Sequence, residues 1–235
     1  MSLFTSQSTE KEEVEQDSLG GKKILSQDVY PAIIEMAYLR ESLSSKSVAL
    51  NVVFRTDAGD IIEKPYWFIN KEGNNFTTKD GKQRDTFGMT QLKALSRVAI
   101  GGDIPDTTIE PKTIKKYDFD ARKEVPTEVQ MMMGLVKAPV QIAVTHLKRN
   151  KGVKQADGKY KDVGELIEEN DIAKVFSTDG HTASEIMEGV EAEFITEWLD
   201  HNKGKVVDKF KPDLVKGSSG GSKQATNKTA PLFGA

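Results

Sequence analysis

Residues 48–55 read Val-Ala-Leu-Asn-Val-Val-Phe-Arg, so Val48, Leu50, Val52 and Phe54 alternate with Ala49, Asn51, Val53 and Arg55. Successive side chains of an extended backbone point to opposite faces, and a period of two therefore assigns each set to one side of a strand. One set is more apolar than the other, which predicts a half-buried strand over 46–56 within a meander. Asp57-Ala58-Gly59 follows as a short Gly-containing turn into a second β-rich run at 60–70, and 28–40 supplies a third run upstream. A chain that opens its folded body this way needs a sheet with one face covered.

The covering material must come from packing alone, because the chain has no cysteine and so neither disulfides nor thiolate metal sites. Met89, Leu92, Leu95, Val98 and Ala99 recur at helical spacing before Gly101-Gly102, predicting a helix over 89–100 against the sheet. Between 103 and 123, Pro105 and Pro111 argue for irregular chain. Thr127-Glu128-Val129-Gln130 fits a capping box opening a short helix through Met131, Met132, Met133 and Leu135, the methionines reading as core filler. Residues 139–147 alternate as a strand, 148–160 form a basic hairpin tip, and 171–177 add a further strand. Thr182-Ala183-Ser184-Glu185 is a second capping box, and Ile186, Val190, Phe194, Ile195 and Trp198 form an apolar stripe, so a last helix is expected to about His201.

The domain limits follow from composition. Residues 1–26 are polar, with Glu10, Glu12, Glu13, Glu15 and Asp17 clustered, and read as a flexible acidic arm. Residues 27–212 form the folded domain. Residues 213–235 read as a flexible tail that carries Lys216, Lys223 and Lys228 and no acid after Lys216, ending in an apolar Pro231-Leu232-Phe233. No apolar run reaches the ~20 residues of a membrane span and no signal-peptide segment is visible, so a cytoplasmic protein without a membrane partner is expected.

Enzymatic chemistry finds little support. His146, His181 and His201 lack metal-ligand spacing, no phosphate-cradling or nucleophile-elbow motif occurs, and the carboxylate groups Glu165, Glu168, Glu169 and Asp118, Asp120 read as solvated faces. No catalytic residue, metal or cofactor is expected. Binding features are more coherent: a protein that holds a single strand needs cations along the phosphates and aromatic faces for the bases. Tyr66, Trp67 and Phe68 follow one another in the run at 60–70, so Trp67 must face away from Tyr66 and Phe68.

Next comes a turn-rich stretch, 71–86, with a reversal at Lys79-Asp80-Gly81-Lys82. It interleaves Lys71, Phe76, Lys79, Lys82 and Arg84 before Phe87, either as a lid that grips nucleic acid or as a solvated hairpin pinned by two apolar residues. The second basic tip contributes Lys148, Arg149 and Lys151, with Lys154 beside them and Tyr160 as its one aromatic; it reads as well as a solvated face.

These segments together resemble the single-stranded DNA-binding proteins of tailed bacteriophages. The resemblance rests on Tyr30-Pro31-Ala32-Ile33-Ile34-Glu35-Met36-Ala37-Tyr38-Leu39, on Tyr66-Trp67-Phe68-Ile69 followed by the Lys79-Asp80-Gly81-Lys82 turn, and on His181-Thr182-Ala183, and it covers most of 28–211. It implies a mainly β, α+β fold: an OB-like antiparallel β-barrel elaborated by a lid hairpin and a C-terminal helix. It also implies sequence-nonspecific binding of single-stranded DNA in viral replication, recombination or repair, inside the host cytoplasm.

Many proteins of that class end in an acidic tail that recruits replication proteins. This tail is basic, which leaves Leu232 and Phe233 as the candidate contacts for replication or recombination partners. Two other readings compete: an adaptor or structural phage protein that acts through the tail without binding DNA, and a metal-dependent nuclease whose carboxylates carry no recognisable motif.

Overall fold

Strands β1 (Asp28–Glu41), β2 (Val48–Thr56) and β3 (Ile61–Ile69) pair in antiparallel order as the alternation requires, in a computed structural model that describes residues 23–42, 44–104, 109–118, 121–155 and 160–213. The acidic arm before residue 23 and the tail with Leu232 and Phe233 lie outside the described residues. Leu50, Val52 and Phe54 enter the main core beside Ile34, Leu92 and Ile142. The other face of β2 is covered too: Ala49 and Asn51 are buried, and Val53 packs with Tyr38 and Met131 in a second cluster. The half-buried expectation for this strand is therefore corrected, because β2 lies between β1 and β3 with material on both sides.

A small hairpin of β4 (Phe76–Lys79) and β5 (Lys82–Asp85) follows, turned at Asp80 and Gly81, whose φ angles of 54° and 72° give the left-handed pair that a two-residue hairpin favours. Helix α1 (Phe87–Ile100) starts two residues earlier than its apolar spacing indicates. The hydroxyl of Thr86 caps it by accepting from the Met89 amide at 3.1 Å, and Gly101 closes it at φ 70°.

Two expectations fail in the next segment. Residues read as irregular form β6 (Ile109–Asp118), and those read as a capped helix form β7 (Lys123–Met132), leaving only a 3-10 turn at Met133–Leu135. Pro111 is tolerated because β6 pairs with β7 alone, so the missing amide costs no ladder bond on the open edge. Val125, Thr127, Val129 and Met131 share one face of β7 at a period of two, and that pattern prevails over the local capping signal.

Strands β8 (Pro139–Lys154) and β9 (Tyr160–Phe176) make one long hairpin, which merges the expected strands and basic tip. The base of β8 also pairs with β1, and the short β10 (Val207–Asp208) runs parallel to β8. The sheet order is β9-β8-β1-β2-β3, with β6-β7 attached to β1 at Tyr38 and Met131. The described residues are thus mainly antiparallel β with three α-helices, as expected of an α+β fold. The ladder does not close into a barrel among the described residues. Between β3 and β9, the Lys64 ammonium crosses to Asp171 at 2.9 Å and to the carbonyl of Ile172.

The single C-terminal helix is also corrected. Gly189 at φ 66° stops α2 (Ala183–Glu188), and α3 (Phe194–Asn202) starts afresh, leaving Ile186 and Val190 exposed while Trp198 is buried. Glu185 joins the two helices. Its carboxylate accepts from the Thr182 amide (2.7 Å) and hydroxyl (2.8 Å), and from the amides of Glu193 (3.0 Å) and Phe194 (2.8 Å). Burial by itself would raise this carboxyl, but the four donors outweigh burial and hold it at about 2, below its ordinary 4.5.

A depressed folded value stabilises fully above the unfolded pKa, and the stabilisation is lost as pH falls toward 2. Glu185→Gln is expected to cost about 2 kcal/mol at pH 7, with solvent screening allowed for, and the difference from wild type should narrow below pH 4. Urea unfolding across that pH range measures it; a gap independent of pH would contradict the assignment.

Candidate nucleic-acid interface

Alternation along β3 separates Trp67 from Tyr66 and Phe68, as the sequence requires. Tyr66 is 3% exposed within the main core, whereas Trp67 is 41% exposed on the other face. Burial, and secondarily Asp171, pushes the Tyr66 phenol far up, which keeps it neutral. Tyr66 is therefore removed from the candidate stacking residues, since no base can reach its ring.

Trp67 lines a groove of about 610 Å³ whose walls come from four places in the chain. The end of β1 brings Tyr38 and Arg40, β6 brings Lys116, β7 brings Thr127 and Val129, and the β8-β9 tip brings Lys154 and Tyr160. Tyr160 is 73% exposed, giving the groove a second accessible ring. Among the described residues Arg40, Lys116 and Lys154 form no ion pair, although Glu41 and Glu128 share the walls.

The floor is held by buried polar contacts. The Asn51 amide donates to the Tyr38 hydroxyl at 2.5 Å and also to Glu63, while the Tyr38 hydroxyl reaches Glu63 at 3.4 Å. Burial first, and the Glu63 carboxylate second, raise the Tyr38 pKa, so its hydroxyl stays protonated as a donor.

The remaining sequence candidates divide into three groups. Lys79, Lys82 and Arg84 are exposed on the β4-β5 hairpin, with Phe76 half-buried at its base and Lys71 beside Glu72 at 3.7 Å. Lys79 and Lys82 stand directly opposite each other, a like-charge pairing that a purely structural hairpin would avoid. None of these lines the Trp67 groove. Phe87, 78% exposed, lines a different cavity of about 300 Å³ that also touches Tyr66.

The third group is ion-paired. Lys148 meets Glu168 at 3.3 Å, Arg149 grips Glu169 through two nitrogens at 2.5 and 2.9 Å, and Lys151 meets Glu165 at 2.9 Å. The Arg149 guanidinium is raised by its hydrogen bonds to Glu169, and Glu168 is lowered by hydrogen bonds from His146 and then Lys148. The carboxylates read from sequence as a solvated face are the cross-strand partners of these cations, so a phosphate would have to compete with a carboxylate at each.

Sequence reading passed over Arg40 and Lys116 and left Lys154 and Tyr160 outside the chosen site. A signal existed for the last two: pairing 148–154 against 160–169 would have matched Lys148, Arg149 and Lys151 with Glu165, Glu168 and Glu169, leaving Lys154 and Tyr160 unmatched at the tip. Arg40 and Lys116 carry no local signal, since only the sheet brings them together.

Each histidine has a local partner: His146 bonds Glu168, His181 faces Asp179, and His201 lies 2.8 Å from the Glu197 carbonyl. Among the described residues no three His, Asp or Glu side chains gather as a metal site, and no helix is long and apolar enough to cross a membrane. No protein-family model matches the chain, and no curated protein matches it.

Proposed function

We propose that the chain is a non-catalytic, sequence-nonspecific single-stranded DNA-binding protein that protects exposed strands during phage replication, recombination or repair. The observation that carries this reading is the groove lined by two accessible rings, Trp67 and Tyr160, and by three cations free of ion pairs among the described residues, Arg40, Lys116 and Lys154. Stacking is tolerant of sequence because every base has a π-face, and the cations follow the phosphates whatever the bases are. The β4-β5 hairpin, with its opposed lysines, supplies a second cationic element that extends the contact beyond the groove.

The strand order supports the OB-like part of the reading. Five strands run β9-β8-β1-β2-β3 with α1 inserted between β3 and the β8-β9 hairpin, and the Lys64 bridge to Asp171 spans the remaining gap. A partly open barrel of this kind presents one sheet face and its flanking loops to an oligonucleotide.

Salt dependence tests the electrostatic half. Affinity for oligo-dT, followed by fluorescence anisotropy, is expected to fall linearly on a log-log plot as salt rises. Arg40→Ala and Lys154→Ala are each expected to lower the slope by about 0.7, the increment per phosphate contact on a single strand. Unchanged slopes in both variants would place the phosphate path elsewhere, and no binding at low salt would remove the function.

A further inference from the structure

The second cavity, about 300 Å³ between α1, α2, β3 and β9, takes no part in the proposed groove. Its walls are largely apolar: Phe87, Ala94, Leu95, Val175 and Ala183, with Tyr66 at the side. Lys174 lines it as well and holds its ammonium 5.3 Å from the centre of the Phe194 ring, so the cavity opens toward α3. Phe87 in its wall and Phe194 beside Lys174 are 78% and 40% exposed, and Met187 and Val190, at the end of α2 and just after it, are 69% and 48% exposed. Exposed large side chains gathered at a pocket mark a docking surface more often than a solvated one.

Lys64 and Lys174 line the cavity on the β3 and β9 side, whereas the α2-α3 side carries only negative charge. From Ala183 to Asn202 there is no lysine or arginine, while Glu188, Glu191, Glu193, Glu197 and Asp200 are exposed and form no ion pair among the described residues. The occupant should therefore be apolar at its tip and basic beside it. The chain contains such a segment outside the described residues: Lys228-Thr229-Ala230-Pro231-Leu232-Phe233, in a stretch from Lys216 that has three lysines and no acid.

We propose that this C-terminal segment docks on its own domain, with Leu232 and Phe233 at the cavity between α1 and α2 and Lys228 against the carboxylates of the α2-α3 rim. The reach is adequate. Lys211 is tied to Asn150 by its amide at 2.9 Å, and Asn150 lies eight residues along β8 from Ile142, the cross-strand partner of Val175 in the cavity wall. That is about 27 Å at the rise of a strand. The 17 residues from Leu214 to Ala230 can span about 60 Å at most, more than the distance required, and attachment to the same chain raises the local concentration of the segment so that a small contact suffices.

Zero-length carbodiimide cross-linking of the full chain, read by mass spectrometry, tests the proposal without DNA and so independently of the proposed function. Amide links from Lys228 to Glu188, Glu191, Glu193 or Glu197 are expected, with the Lys203 to Asp28 pair, 3.0 Å apart, as the internal standard. Phe87→Ala, at a position exposed enough to spare the fold, and Phe233→Ser should each reduce those links about tenfold relative to the standard, as loss of an aromatic anchor implies. A mixture of light- and heavy-isotope chains should give links within one isotope only. Links from Lys228 that are absent from the α2-α3 rim, unaffected by both variants, or equally frequent between isotopes would overturn docking of the segment on its own domain.

Discussion

Saturating oligo-dT is expected to quench the emission of Trp67 while leaving that of Trp198 nearly unchanged, and Trp67→Ala is expected to weaken binding roughly 5- to 150-fold. The two tryptophans are separable because Trp67 is 41% exposed in the groove and Trp198 is 8% exposed under α3. The range follows from the ~1 to 3 kcal/mol that one base-aromatic stack contributes. Trp198→Phe should keep both quenching and affinity. Tyr66→Phe serves as the internal control, because that ring belongs to the core and its loss of a hydroxyl should leave binding as it is. Wild-type affinity in Trp67→Ala would remove the groove from the function, whatever the lid contributes. Tyr160→Ala should weaken binding by a similar factor, and the double variant tells whether the two rings hold one strand or act separately.

How much of this was legible in the sequence depended on the range of the interactions involved. The β1-β2-β3 meander, the hairpin turn at Asp80-Gly81 and the body of α1 are set by neighbours in the chain, and alternation, turn chemistry and helical spacing reported them correctly. The same local rules misread 103–135. Pro111 signals a break only where its amide would be needed, and on the outer edge of β6 it is not. Thr127 and Glu128 look like a cap, but Val129 and Met131 on the same face of β7 pack with Tyr38 of β1 and Val53 of β2, a fact that no window of ten residues contains.

The site followed the same division. Alternation alone sets Trp67 on the opposite face from Tyr66 and Phe68. Tyr66 remained a candidate because alternation states that two faces differ without stating which one is core. Lys148, Arg149 and Lys151 looked like a phosphate grip until β9 placed a carboxylate beside each. Arg40 and Lys116 are far apart in the chain and meet only where the β6-β7 hairpin returns to β1.

Gly88→Ala is expected to destabilise the domain and to act on the groove from behind. Gly88 is buried in the first turn of α1, where a Cβ would lie 1.9 Å from the carbonyl oxygen of Trp67 and 2.3 Å from its carbonyl carbon. Backbone cannot yield as a flexible side chain does, so either α1 moves off β3 or the strand is pushed out of register. The helix is fixed there by Thr86, whose hydroxyl donates to the Phe68 carbonyl at 2.8 Å while capping the Met89 amide. It is fixed further along by Leu92 and Leu95, both 2% exposed or less in the main core.

Ala favours a helix over Gly by about 1 kcal/mol, and this gain is set against an overpacking penalty that reaches ~3 kcal/mol or more when the obstacle cannot relax. A net loss of about 2 to 3 kcal/mol is expected in urea unfolding. Affinity for oligo-dT should fall as well, because the displaced carbonyl belongs to the residue whose ring stacks. If Gly88→Ala were as stable as wild type, α1 would not approach β3 as closely as the fold requires. If it were unstable yet bound DNA with unchanged affinity under folding conditions, Trp67 would not depend on the helix contact for its position in the groove.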